Sequence, residues 1–310
     1  MKQLNKYFIF GDVHGEYDAL LESLNEAGYN HNDPTHILIS TGDLFDRGPK
    51  SAEIYRFLSS RKHIAVKGNH DCMFQEYLEK GMDGEFVLFN ILHNGLGATI
   101  RSFTGLNDSV FNPSELNNAR KHINSSVLKW LKNMPLYYET KNFIFCHAGI
   151  NPKLPNWKDT DEQYMLWDIE DSYSDIKTVN KFVVIGHHHA FRVRKQLEDR
   201  GLEIREAKDY TYQLPIDNGQ SMFVRMEAYG NKDEHRIVCH KNKIAIDGCT
   251  NLTGKVNVLV VQDYPLEEDE PKEEIKVGTD SAFNWNDVTT SYASYTYNDI
   301  GATIRGTFTL

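Results

Sequence analysis

Five short apolar runs, each closing on a turn that carries an acid, an imidazole or an amide, constrain this chain more than any other feature. Phe8-Ile9-Phe10 runs into Gly11-Asp12-Val13-His14-Gly15, and Ile37-Leu38-Ile39-Ser40 into Gly42-Asp43-Leu44-Phe45-Asp46-Arg47-Gly48. Ile64-Ala65-Val66 leads to Gly68-Asn69-His70-Asp71, Phe143-Ile144-Phe145-Cys146 to His147-Ala148-Gly149, and Phe182-Val183-Val184-Ile185 to Gly186-His187-His188-His189. Runs this short and this rich in β-branched and aromatic residues read as buried strands. Side chains two apart on a strand share a side, so Asp12 and His14 can converge on one point. A single Asp-x-His is most simply a capped turn. Five strand ends that repeat the theme make a site, because ligands gather beyond the carboxyl ends of such strands.

Between the runs the apolar period changes. Leu20, Leu21, Leu24 and Ala27 fall at helical spacing before Gly28, and Ala52, Ile54, Phe57 and Leu58 do so before the third run. Strand and helix in alternation predict parallel βαβ units and an α/β fold. Residues 72–142 read as mostly helical, with stripes at Met73, Tyr77, Leu78 and at Val127, Leu128, Leu131, a helix start at Pro113-Ser114-Glu115, and a glycine-rich turn entering a helix near the site at 94–104. Residues 192–209 suit an amphipathic helix or a solvated hairpin. After them, 236–239, 243–246 and 256–261 read as consecutive strands joined by tight turns and closing a second sheet. The domain is expected over 1–264, with 190–236 a possible lid or insertion. Residues 265–310 are expected to append an acidic linker around Pro271 and a Tyr- and Thr-rich segment. Gly97-Ala98-Thr99-Ile100-Arg101 recurs word for word as Gly301-Ala302-Thr303-Ile304-Arg305, two copies being too few for a repeat fold.

A net charge of −10 over 310 residues argues against affinity for long nucleic acid or an anionic membrane. Cys72, Cys146, Cys239 and Cys249 have no paired spacing, so neither a disulfide framework nor a zinc ribbon is indicated. The first apolar run is too short for a signal peptide and no segment is long enough to span a bilayer, so a cytoplasmic protein is expected.

Carboxylates, imidazoles and one amide oxygen, without thiolates, suit hard to borderline divalent metals: manganese first, with iron, zinc, nickel or magnesium as alternatives. The candidates exceed the needs of one ion. Two ions sharing a carboxylate, typically ~3.5–4 Å apart in hydrolases, use them economically. A bridging water between such ions is deprotonated near neutral pH and can attack phosphorus in line, while the metals and an arginine neutralise the phosphoryl oxygens.

The five motifs, in this order, resemble those of the calcineurin-like metallophosphoesterases. The Asp46-Arg47-Gly48 extension resembles the phosphoprotein phosphatase branch in its compact bacterial and phage form. The resemblance covers residues 5–262, with Ile246-Asp247-Gly248 similar to that branch's closing strand. It implies a four-layer β-sandwich flanked by helices. It also implies two divalent ions, the first held by Asp12, His14 and Asp43, the second by Asp43, Asn69, His147 and His187, with Asp43 bridging. His70 would be the general acid, oriented by Asp46, and Arg47 would grip phosphate. In the wider superfamily the second histidine of Gly-His-x-His joins the first metal, which makes His189 a further candidate, although the phosphatase branch usually lacks it. His188 should face away, and Asp247 is expected to be a supporting or turn residue. Residues 150–186 lack the second phosphate-binding arginine usual in the branch; Trp167-Asp168 stands in that neighbourhood, and either Arg192, Arg194 or another distant arginine substitutes or the phosphate is held less tightly.

The resemblance implies a dimetal phosphoesterase, foremost a Ser/Thr protein phosphatase, acting on a phosphorylated protein or a small phosphorylated substrate. Its enzyme rivals are a dinucleoside-polyphosphate hydrolase and a cyclic-nucleotide or nucleic-acid phosphodiesterase. A metal-binding assembly protein working through its tail is the non-enzyme reading.

Overall fold

A strand that is apolar on both faces must be covered on both. In the structure, a computed structural model that describes residues 3–107, 112–168, 176–215 and 220–266, two packed sheets and two helical layers do this. The strands are β1 (Asn5–Phe10), β2 (His36–Ser40), β3 (His63–Ala65), β4 (Tyr137–Glu139), β5 (Phe143–Cys146), β6 (Phe182–Ile185), β7 (Thr211–Pro215), β8 (Ser221–Arg225), β9 (Glu227–Tyr229), β10 (Val238–His240), β11 (Lys243–Ala245) and β12 (Val258–Asp263). One sheet runs β3-β2-β1-β12-β9, the other β10-β11-β6-β5-β4, and β7 and β8 form a separate hairpin. Within the first sheet β1, β2 and β3 are parallel; within the second, β5, β6 and β11 are.

Alternation along each strand assigns its residues to layers. Tyr7, Ile9, Ile37, Ile39, Leu259 and Val261 face Phe143, Phe145, Val184 and Ile244 between the sheets. Phe8, Phe10, Leu38, Val258 and Val260 point the other way, into a cluster shared with helices Tyr17–Glu26, Ser51–Ser59, Asn69–Lys80, Leu96–Thr104, Pro113–Arg120 and Ser125–Lys132. Ile144, Cys146, Val183, Ile185 and Ala245 pack outward against Met165 and against Val193 and Leu197 of helix Ala190–Asp199. The layers are therefore helix, sheet, sheet, helix. No described helix is long and apolar enough to cross a membrane, and all four cysteines are free.

Two differences from the sequence reading have physical causes. The last strand, expected beside 236–239 and 243–246 in a second sheet, is β12, and it lies antiparallel to β1 in the first sheet. It is buried on both faces, so it can take the place beside β1, and helix Thr250–Thr253 intervenes where a tight turn was expected. Within 72–142, the three half-buried residues of β4 form an edge strand too short to show a period. Within 190–236, helix Ala190–Asp199 buries Val193 and Leu197, and the β7–β8 hairpin buries Tyr212, Leu214 and Val224 in the inter-sheet core. The described residues fall within a single compact unit. The Tyr- and Thr-rich segment, nearly all of the acidic linker and the second Gly-Ala-Thr-Ile-Arg lie outside the described residues.

Candidate metal centre

Parallel strands end on one edge of their sheet, so β1, β2 and β3 deliver Asp12 and His14, Asp43, and Asn69 and His70. From the second sheet β5, β6 and β11 deliver His147, His187 and Asp247. Turning each chain sharply enough to aim these side chains strains it. Eight described non-glycine residues have positive φ, and six of them are residues the sequence assigns to the site: Asp12 (+53°), His14 (+47°), Asp43 (+54°), Asp46 (+71°), Arg47 (+68°) and His187 (+55°). Each costs about 1–2 kcal/mol, and strain of this kind gathers where a fold must aim a side chain.

Hydrogen bonds fix which nitrogen of each imidazole faces the pocket. His14 Nδ1 lies 3.0 Å from the Phe45 carbonyl oxygen and His147 Nδ1 lies 2.8 Å from that of Thr41. A carbonyl only accepts, so both Nδ1 atoms carry the proton and both Nε2 atoms present a lone pair. His70 Nδ1 is held in the same way by Asp46 Oδ2 at 2.8 Å. Ligand atoms of His14, Asp43 and His70 lie within 4.8 Å of one another, and so do those of Asp43, His147 and His187. Asp43 belongs to both sets, as a carboxylate bridging two cations must. Its Oδ2 is 3.8 Å from His14 Nε2 and its Oδ1 3.4 Å from His147 Nε2.

Arg47 sits inside this constellation. Its guanidinium donates to His14 Nε2 at 2.8 Å and to His70 Nε2 at 3.1 Å. Across Asp43, His147 Nε2 is 2.8 Å from Asn69 Oδ1, two acceptors face to face. Turning the amide over would let its NH2 donate to His147 at 2.8 Å and to both Asp43 oxygens at 3.2 and 3.1 Å. A cation among the three groups would satisfy the present orientation instead. Asp12 makes a similar demand. Its Oδ1 accepts from the His187 amide at 2.9 Å, whereas Oδ2 is buried with no hydrogen-bond partner. A Cβ on Gly186 would come within 2.3 Å of that oxygen, so only glycine leaves it room. A buried carboxylate oxygen lacking a donor calls for a proton or a cation, and this oxygen- and nitrogen-only set fits divalent cations.

Burial dominates the electrostatics. It raises Asp12, with Asp247 and Asp43 adding to it, and pushes Asp43 up to about 7. It lowers His14 and His70, with Arg47 next in both cases, and lowers His147 to about 4. The pocket therefore disfavours ionised carboxylates and favours neutral imidazoles until a cation compensates.

Other expected residues are not members of these two groups. His189 groups with Asp247 and Cys249, its Nε2 3.6 Å from Asp247 Oδ2, and its charge acts on His14 and His187. Trp167 lies edge-on to His187, ring centroids 6.4 Å apart. Arg192 lies over the Phe191 ring, and Arg194 is buried, with the Arg236 and Glu206 charges acting on it. His188 is also buried, and burial with the Lys243 charge lowers it to about 3.

Two contributors, Asp71 and Thr99, were given no role from sequence, and a third, Asp247, only a supporting or turn role. Asp71 accepts from the Asp43 amide at 3.0 Å, from Gly68 at 2.8 Å and from Leu44 at 3.2 Å, and so holds the bridging residue's backbone. Asp247 ends a sixth parallel strand, and its charge acts on Asp12 and Asp43. Thr99 contacts Asp46 twice. The available signals were the acid closing Gly-Asn-His-Asp, the apolar run before Asp247, and the repeated pentapeptide.

The family model for calcineurin-like phosphoesterases matches residues 6–217, more than half of the chain. A symmetrical bis(5'-nucleosyl)-tetraphosphatase of Neisseria meningitidis is 30% identical over 179 residues, covering 57% of this chain and 54% of that protein. One of Vibrio vulnificus is 30% identical over 148 residues, 47% and 45% of the two chains. Serine/threonine-protein phosphatase 2 of Escherichia coli is 40% identical over 81 residues, 26% and 36%. The chain spans about half the length of the tetraphosphatases it matches. With this geometry and a match of that extent, the chain belongs to the calcineurin-like phosphoesterase family.

Proposed function

We propose that the protein is a metal-dependent phosphohydrolase that cleaves the phosphoanhydride bonds of nucleoside polyphosphates, with symmetrical dinucleoside tetraphosphates as the leading substrates. The observation that carries the reading is one buried aspartate, Asp43, shared by the groups His14–Asp43–His70 and Asp43–His147–His187, with His70 also held by Asp46 through Nδ1. Asp12, His14 and Asp43 would hold one divalent ion, and Asp43, Asn69, His147 and His187 the other. When bound, the ions supply an activated water and neutralise charge on the phosphoryl oxygens.

The remaining steps belong to the chain. Arg47 gives two N–H groups to imidazole nitrogens; a phosphate offers it two charged oxygens in matching fork geometry and draws it away. Once Arg47 leaves, His70 Nε2 no longer faces a cation and can hold the proton that the leaving oxygen takes. Asp46, on Nδ1, keeps that ring oriented.

Ser/Thr phosphatase activity, which the sequence ranks first, is the second reading. It is favoured by the 40% match over 81 residues, whereas the tetraphosphatase matches run over 148 and 179 residues. Diadenosine tetraphosphate, a phosphopeptide, a cyclic nucleotide and a short RNA, assayed side by side with manganese, decide between them. Turnover highest on the tetraphosphate supports the proposal; turnover confined to the phosphopeptide replaces it with the second reading.

A further inference from the structure

Asp46 and Arg47 are consecutive left-handed residues, φ +71° and +68°, and such a pair persists only where its surroundings over-determine it. The holding contacts come from one short stretch, 95–99, at the start of helix Leu96–Thr104. The Gly95 carbonyl accepts the Arg47 amide at 3.1 Å, and Gly95 lies so close that a Cβ there would come within 2.4 Å of the Arg47 nitrogen. Thr99 Oγ1 accepts the Asp46 amide at 2.7 Å and donates to Asp46 Oδ1 at 2.8 Å. A threonine hydroxyl has one proton. With that proton on the carboxylate, the 3.2 Å contact between Ser51 Oγ and Thr99 Oγ1 has Ser51 as donor. The other carboxylate oxygen, Oδ2, is left for His70 Nδ1 at 2.8 Å. Thr99, Asp46 and His70 are all 0% exposed, so water cannot take over a lost bond.

We propose that Thr99 is the positioning residue of the Asp46–His70 pair. Its hydroxyl locks the carboxylate so that Oδ2 faces Nδ1, keeps the proton there, and turns Nε2 toward the substrate's leaving oxygen. This gives a role to the first copy of Gly-Ala-Thr-Ile-Arg, and it rests on the acid role assigned to His70.

The test compares Thr99→Val, which keeps the volume and loses the hydroxyl, with Thr99→Ser, which restores it, both in the full chain with manganese. Thr99→Val lowers kcat on an alkyl phosphate, a poor leaving group, by about 10–100-fold, the usual scale for a lost supporting bond. It affects p-nitrophenyl phosphate far less and leaves KM near wild type, and Thr99→Ser recovers the alkyl rate. In a His70→Ala background Thr99→Val costs nothing further, because the two act as one unit. The downfield proton resonance of His70 Nδ1–H moves or vanishes in Thr99→Val and returns in Thr99→Ser. A folded Thr99→Val with unchanged leaving-group dependence, or an equal further loss on His70→Ala, overturns the proposal. If Thr99→Val does not fold, Thr99→Cys, a weak donor of similar size, is read in its place. Equal loss of both ester classes in His70→Ala would remove the acid role itself, and the resonance would still report whether Thr99 orders the pair.

Discussion

The two ligand sets that meet at Asp43 differ in what completes them. Around His14 and His70 the inward nitrogens are served by Arg47, at 2.8 and 3.1 Å. Around His147 the inward nitrogen faces the Asn69 amide, which satisfies it only by turning over. A divalent ion entering the first set must displace a charged side chain; one entering the second need only keep a neutral amide in place. The His147 set should therefore fill first and more tightly. Filling of the His14 set is then tied to where Arg47 points, and so to substrate phosphate.

Removing the shared carboxylate breaks both sets at once. Asp43→Asn should cut aryl-phosphate turnover by roughly 10³-fold or more, the scale of losing a group on which others depend, and elemental analysis should find fewer than two ions per chain. Retained activity with two ions would show that Asp43 does not bridge. Next in size, His70→Ala should cost about 10²–10⁴-fold on alkyl esters and much less on activated aryl esters. Equal losses would separate His70 from the leaving group.

Arg47→Ala sharpens the contrast between the sets. By freeing His14 Nε2 it should tighten the weaker manganese site by about tenfold, the scale of a charged hydrogen bond, while lowering kcat/KM. Calorimetric titration reads the first effect, and no change in the weaker site would mean that Arg47 does not compete there.

The smallest effect is on stability. Burial raises Asp43 from 3.8 to about 7, so the stability it lends the metal-free fold is full below 3.8 and is lost as pH rises through about 7; Asp12, also raised, acts in the same direction. His147, lowered from 6.5 to about 4, contributes fully above 6.5, and its share is lost as pH falls toward 4. Manganese pairs with ionised carboxylates and neutral imidazoles, so its gain in Tm should be larger at pH 8 than at pH 6, by about 5 °C. A gain independent of pH would contradict metal binding at these groups.

What could be read from sequence follows from how local each signal is. β5 and β6 begin and end where their apolar runs do, because a run bounded by glycine or polar turns specifies itself. The convergence of Asp43 and His147 could be anticipated from strand ends alone. The placement of β12 could not, since a strand apolar on both faces suits a central position in either sheet. Asp247 was read as a supporting or turn residue, and its charge acts on Asp12 and Asp43. Arg47 between two imidazoles, and Thr99 beneath Asp46, depend on rotamers and on contacts 33 and 53 residues apart in the chain, to which no local pattern corresponds.

Anomalous scattering from crystals of the full chain soaked in manganese tests the central claim most directly. The account predicts two peaks flanking the Asp43 carboxylate, the one beside Asn69 and His147 appearing at lower manganese concentration. No peak at Asp43, or peaks that persist undiminished in Asp43→Asn, would contradict it.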